Sequence, residues 1–289
     1  MKLTNHEARE IEHANQSGLR PVVFVHGLWL LPNSWDRWRN FFERYGYATL
    51  APGWPDDPET VAEAREHPEV FAKQSLQAVT EHYVEAIEGL SRKPAVVGHS
   101  FGGMIAEELA GLGFSAATVA IDPAPFRGVL PLPASSLKSA APVIANPANY
   151  RRAVELTLDE FKYGWANTLS DEEAAELHET YHVAASGKPL FQAALANINP
   201  WTEDRVDTDN ANRGPLLLIS GEQDHTVPPA VVEAAYERQL RNTGETELAT
   251  IPGRGHSLTI DHGWKDVAET ALAFVVKYAP AIDKVTTAA

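Results

Sequence analysis

A serine framed by glycines is the first group in this chain placed to do chemistry. The segment Gly98-His99-Ser100-Phe101-Gly102-Gly103 follows the apolar run Ala95-Val96-Val97. It precedes Met104-Ile105-Ala106-Glu107-Glu108-Leu109, where Ile105, Leu109 and Leu112 recur at helical spacing. A G-x-S-x-G sequence between a strand and a helix predicts a sharp, strained turn, because glycines remove the Cβ atoms that would block it. Such a turn pushes the Ser100 hydroxyl out of the sheet as a nucleophile. The plainer reading is a tight Gly-Ser turn; the strand before it and the helix after it favour the nucleophile.

A serine hydroxyl attacks poorly at its own pKa and needs a base within hydrogen-bond reach. Eleven histidines compete. His256, in Ile251-Pro252-Gly253-Arg254-Gly255-His256, follows the last predicted strand in a glycine-bearing loop, and the carboxyl ends of strands supply active sites in parallel sheets. The acid that orients it should follow another strand. Leu216 to Ser220 leads into Gly221-Glu222-Gln223-Asp224, which makes Asp224 the candidate, with Asp122 after Ile121 as its competitor. Asp261 and Asp266 come after the base and read as solvated or capping residues. An acid at this place holds the imidazole tautomer and stabilises its charged form. An imidazole base predicts loss of rate below about pH 6.5.

The other histidines read as structural. His178 and His182 are four apart on one helix, a spacing that suits a metal pair, but no third ligand completes it and both read as helix-surface or lid residues. His26 and His99 lie beside turns and read as structural donors, and His225 as packing beside Asp224. No metal and no cofactor are expected.

Short β-branched runs alternating with amphipathic stretches must position these groups. Val22-Val23-Phe24-Val25, Ala48-Thr49-Leu50, Ala95-Val96-Val97 and Thr118-Val119-Ala120-Ile121 read as strands, mostly without alternation, as in a sheet covered on both faces. Trp35, Trp38, Phe42 and Tyr45, and Leu76, Val79, Tyr83, Ile87 and Leu90, read as helices between them. From Phe126 to Asn212 the rhythm stops; a helix there opens on Ser170-Asp171-Glu172-Glu173, a predicted capping box. It resumes with Leu216-Leu217-Leu218-Ile219, a Pro228-Pro229 helix entry, a strand near Glu247 to Ile251 and a last helix with Trp264, Val267, Ala271, Phe274 and Tyr278 on one stripe. The expected fold is α/β, a mostly parallel central sheet with helices on both faces. Residues 1–125 and 213–289 form its core, and 126–212 a helical lid too long for a mere loop.

Composition narrows the function classes. Of 289 residues, 24 are Lys or Arg and 39 Asp or Glu, a net charge of −15 that repels nucleic acid and anionic lipid. With no cysteine, a disulfide framework, a thiolate metal site and a catalytic thiol are excluded together. The first residues are polar where a secretory signal would be apolar, and no stretch approaches the ~18 apolar residues of a membrane span, so a soluble cytoplasmic protein is expected.

The order Ser100, Asp224, His256 with Gly98-His99-Ser100-Phe101-Gly102-Gly103 resembles the α/β-hydrolase family, over about residues 21–278. Val25-His26-Gly27-Leu28-Trp29 after the first strand looks like that family's H-G-x turn. The resemblance implies an oxyanion hole made by the backbone N–H groups of Leu28 and Phe101. It also implies a cap like that of the lidded serine esterases, carbon–carbon bond hydrolases and cofactor-free haloperoxidases. Two features depart from the pattern: Pro52-Gly53-Trp54-Pro55 replaces the R-G-x-G-x-S turn of many members, and no pair of strands precedes Pro21. Ser100 at the elbow argues against epoxide opening and dehalogenation. Near His256 the chain offers Arg254 but no lysine before Lys265, against a hydroxynitrile lyase.

Phe126, Phe161, Tyr163, Trp165, Tyr181, Phe191 and Trp201 crowd the insertion, most of them as packing. Trp29, Phe126 and Trp165 are the candidates for the wall of an apolar substrate pocket. The leading expectation is a serine hydrolase acting on a small to medium, neutral or apolar carboxylic ester. Carbon–carbon cleavage, lactone opening and perhydrolysis are alternatives on the same scaffold, and a weakly catalytic or non-catalytic small-ligand receptor is the alternative from another class.

Overall fold

The computed structural model describes residues 3–282. In chain order the elements are α1 (Asn5–Ser17), β1 (Arg20–Val25), α2 (Asp36–Arg44), β2 (Tyr47–Leu50), α3 (Val61–Glu66), α4 (Leu76–Glu88), β3 (Ala95–His99), α5 (Phe101–Gly111), β4 (Ala117–Ile121), α6 (Ala134–Ile144), β5 (Ala153–Val154), α7 (Leu158–Gly164), α8 (Asp171–Tyr181), β6 (Ala185–Ser186), α9 (Lys188–Leu195), β7 (Leu216–Gly221), α10 (Pro229–Gln239), β8 (Thr246–Ile251) and α11 (Trp264–Tyr278).

Six strands pair in the order β2-β1-β3-β4-β7-β8, every neighbour parallel. The non-alternating apolar runs of β1, β3 and β4 have their cause in this order: central strands must be apolar on both faces. Val23, Val25, Val96, Ala120, Leu216 and Leu218 pack on one face with residues of α1, α4, α5 and α10. Val22, Phe24, Ala95, Val97, Val119, Ile121, Leu217 and Ile219 pack on the other with α2 and α11. The register aligns Gly98 with Val25 and Ala120, and His99 with Ile121, so the strands end at one level and their loops share one rim.

The details depart from the sequence reading where local signals compete. Trp35 lies in a 3-10 turn before α2, and Tyr45 follows that helix, 53% exposed. Leu112 falls just beyond α5 and is likewise exposed. Before β1 stands a helix, α1, and no pair of strands, in keeping with the sequence reading. It is capped by a Thr4–Glu7 box and closed by Gly18 at φ 67°, and its buried face is only Glu7, Ile11 and Ala14. Between β4 and β7 the chain adds four helices, and β5 and β6 pair as a short antiparallel ladder, Ala153 with Ser186 and Val154 with Ala185. Ser170 caps α8 by accepting from Glu173 N, but the Glu173 carboxylate turns outward to His262, so the box is half made. Among the described residues no helix is long and apolar enough to cross a membrane.

Candidate active site

Ser100 stands between β3 and α5 at φ 57° and ψ −124°, a conformation that costs a non-glycine residue about 1–3 kcal/mol. The turn is held by Ser100 N donating to the Ile121 carbonyl (2.9 Å), and by Gly103, Met104 and Ala124 N–H groups donating to the Ser100 carbonyl (2.9, 3.1 and 3.0 Å). A Cβ on Gly98 would sit 2.0 Å from the Gly102 carbonyl oxygen, and one on Gly102 would sit 2.1 Å from that of Val25. No other residue fits at either place, which is why the serine is bracketed as it is.

The three residues proposed from sequence meet at the rim. His256 Nε2 lies 3.0 Å from Ser100 Oγ, and His256 Nδ1 lies 2.6 Å from Asp224 Oδ2. The other carboxylate oxygen of Asp224 accepts from Thr226 N (2.6 Å) and Val227 N (2.9 Å) at the turn before α10. All three side chains are buried, His256 completely. With three donors fixed around one carboxylate, the imidazole has a defined orientation, its Nε2 turned to the hydroxyl.

Of the proposed oxyanion residues, Phe101 directly follows the serine and Leu28 follows Gly27, which touches it. Phe101 is the first residue of α5, whose N-terminus favours negative charge. Gly27, just before Leu28, approaches so closely that a Cβ there would sit 2.8 Å from that of Ser100. Behind this turn, His26 Nδ1–H donates to the Gly27 carbonyl (2.9 Å), while its Nε2 lies 3.0 Å from Asp57 Oδ2, close but not aligned for a hydrogen bond. Asp57 accepts from Trp54 N (2.8 Å) and Gln74 Nε2 (2.7 Å). Trp54 stacks on His26 at 5.5 Å and donates its indole N–H to the His26 carbonyl. The Pro52-Gly53-Trp54-Pro55 segment, unusual for the resemblance, thus buttresses the turn. Sequence reasoning missed Asp57 and Gln74, which no spacing links to His26.

Of the proposed pocket residues, Trp29 is buried at φ 63°; its indole donates to the Val154 carbonyl (3.0 Å) and its own carbonyl accepts from Val183 N (3.1 Å). Trp165 stands edge-on to the His256 ring, centroids 4.6 Å apart at 82°, and its carbonyl accepts from Ser257 N. Phe126 shares one buried apolar cluster with Leu28, Trp29, Phe101 and Trp165. A cavity of about 450 Å³ lies elsewhere, beside Trp54, Asp57 and His82, and neither Ser100, Asp224 nor His256 lines it.

The remaining candidates are accounted for. His182 is fully buried rather than on a helix surface; it stacks on His178 at 4.4 Å and accepts from Leu156 N through Nε2, and burial pushes it down to about 3. His225 bonds the Tyr163 carbonyl. Asp261, read as solvated or capping, is buried against Arg254, whereas Asp266 lies exposed in the first turn of α11. His99, Asp122 and His256 offer ligand atoms within 4.8 Å of one another, but both His256 nitrogens already face Asp224 and Ser100, so a metal there would break those two contacts.

Residues 22–270 match the model of the alpha/beta hydrolase family. The chain belongs to that family. No protein with a curated functional description matches the sequence. Among solved structures, it is similar to a monoacylglycerol lipase from Paleococcus ferrophilus, with 19% identity, a TM-score of 0.61, and 90% of this chain and 95% of that one covered. It is similar to a thermophilic esterase from Thermogutta terrifontis, with 16% identity, a TM-score of 0.62 and 90% of each chain covered. A pyrethroid hydrolase from Sphingobium faniae has 16% identity and a TM-score of 0.62, with 88% of this chain and 96% of that one covered. At these identities the likeness is one of fold, and the family assignment makes the chain an α/β-hydrolase-type enzyme.

Proposed function

We propose that this hydrolase cleaves a small to medium, neutral or apolar carboxylic ester through an acyl-enzyme. The observation that carries the reading is the unbroken chain Ser100–His256–Asp224, with contacts of 3.0 and 2.6 Å, at the carboxyl rim of the sheet. Ser100 Oγ attacks the ester carbonyl as His256 Nε2 takes its proton, and Asp224 stabilises the imidazolium so formed. The N–H groups of Leu28 and Phe101 hold the oxyanion, an effect worth about 3–4 kcal/mol per donor in related chemistry. The imidazolium then protonates the leaving alcohol, and water, activated by the same base, hydrolyses the acyl-enzyme. No cofactor enters these steps.

Trp29, Phe126 and Trp165 supply apolar wall, and residues 126–212 act as the lid that carries Trp165. The lipase and esterase names of the similar structures support an ester over other acyl compounds. Hydrolysis of p-nitrophenyl esters from acetate to laurate by wild type and Ser100→Ala tests the reading. Expected is an optimum chain length and a loss of several orders of magnitude in Ser100→Ala. Activity that survives the substitution, or its absence in the wild type, overturns the proposal in favour of ligand binding or carbon–carbon and lactone substrates.

A further inference from the structure

A second carboxyl group stands behind the triad and takes no part in the steps above. Asp122 follows β4 at φ 39°, a strained conformation for a non-glycine residue, and is completely buried. Its Oδ1 accepts from Gly221 N (2.7 Å) at the end of β7; its Oδ2 is buried with no hydrogen-bond partner. The carboxyl lies within 4.8 Å of ring nitrogens of both His99 and His256, and Asp224 holds that same His256 ring through Nδ1 at 2.6 Å, so both carboxyls face one imidazole. Two buried carboxyls at one imidazole oppose each other's charge, which favours a proton on one of them.

Which one carries the proton follows from counting donors. Asp224 receives three: Thr226 N, Val227 N and His256 Nδ1–H. Asp122 receives one, and its second oxygen is bare. The ionised form therefore belongs to Asp224 and the neutral form to Asp122. The titratable neighbours do not reverse this. His99, at the end of β3, has both ring nitrogens unpartnered and is held neutral by burial and by His256; no lysine or arginine is among the groups acting on Asp122. Burial first, then the Asp224 charge, pushes the Asp122 carboxyl well above the usual carboxylate range. A carboxylate offers about four lone-pair sites, of which Asp224 has used three, leaving one for an O–H.

We propose that Asp122 is a positioning residue, a neutral acid whose Oδ2–H donates to Asp224 and so moderates the pull of that carboxylate on the His256 imidazolium. By drawing off part of the Asp224 charge, it keeps the imidazole an unprotonated base to lower pH than Asp224 alone would allow. This role rests on the ester-hydrolase reading; the protonation of Asp122 does not.

Carboxyl-carbon NMR of wild type labelled with 13C-aspartate tests the proton directly. Asp204 is the other fully buried aspartate pushed well up, by burial and by Glu108 and Glu107. Two aspartate carboxyls should therefore stay at the protonated position at pH 7, and one should remain in Asp204→Asn. None remaining in Asp204→Asn overturns the proposal. For the role, the acid-side midpoint of p-nitrophenyl ester hydrolysis should rise by roughly half a unit or more in Asp122→Ala. It should return toward the wild-type position in Asp122→Asn, whose amide still donates. An equal rate loss at every pH with an unmoved midpoint, or an Asp122→Asn profile that follows Asp122→Ala, reduces Asp122 to a structural residue and overturns the role. If wild type hydrolyses no ester, the functional reading fails while the NMR result still decides whether the buried carboxyls beside His256 hold a proton.

Discussion

The Asp57 carboxylate reaches the turn beside Ser100 through one ring: its Oδ2 lies 3.0 Å from His26 Nε2, and the opposite nitrogen of that ring donates to the Gly27 carbonyl. Fixing the Gly27 carbonyl fixes the peptide that carries the Leu28 N–H, since both belong to one planar unit. A histidine and a carboxylate thus stand together on this side of Ser100 as well, close but without an aligned hydrogen bond between them.

Asp57→Asn should accordingly lower kcat toward a p-nitrophenyl ester by about 10- to 100-fold, less than outright loss of an oxyanion donor, with KM moving less than threefold. A change confined to KM would assign the pair to substrate binding instead.

Trp165 packs nearly perpendicular to the His256 ring, and its own indole Nε1 is buried without a partner. Phenylalanine at this place loses no hydrogen bond and keeps an aromatic edge. Trp165→Ala should cost about 3–5 kcal/mol in urea unfolding and lower kcat as the imidazole loosens; Trp165→Phe should cost under about 2 kcal/mol and keep most of the activity. Equal losses in the two variants would mean that the indole N–H matters more than its bare state implies.

Glu107 is buried in α5, where desolvation raises its carboxyl to about 8, opposed by the Gln239 side-chain amide and Arg213. Folded Glu107 keeps a proton that the unfolded chain releases near pH 4.5. The stability tied to that proton is present in full below about pH 4.5 and is lost as pH rises toward 8. Glu107→Gln, neutral throughout, should lack this loss. Its urea midpoint should fall less than that of wild type between those values and exceed it at pH 8 by roughly 1–3 kcal/mol of stability. Parallel curves for the two proteins would place the ionised carboxylate in the folded state.

The parts of the fold most legible in the sequence are those with a single physical cause. Val22 to Val25 and Thr118 to Ile121 are apolar throughout because both faces of a central strand are covered, and Gly98 and Gly102 are glycines because backbone occupies the space of a Cβ. Ser100, His256 and Asp224 could be proposed because each follows a strand and the parallel register brings strand ends to one rim. The rest depends on contacts with no local trace. α1 buries too few apolar residues for its periodicity to stand out, although Thr4-x-x-Glu7 carries its capping signal. Glu173 has the spacing of a capping box, yet His262, distant in sequence, takes its carboxylate. Nothing around Asp57 points to His26, and although Asp122 reads as a strand-end rival of Asp224, no local signal says that both stand beside His256, because those neighbours are assembled across separate strands and loops.

The bonds of Trp29 bear on how such enzymes can be recombined. Its indole and carbonyl are tied to Val154 and Val183, both in the segment inserted between β4 and β7. Both partners are backbone atoms, so what they require is a chain path and not a side chain. A chimera that replaces residues 126–212 with the insertion of another hydrolase inherits the core intact but loses two anchors of the turn at Trp29, unless the donor segment runs main chain past the same two points. Grafts chosen for backbone course at those points, rather than for identity of their aromatic residues, are the ones that keep the turn in place.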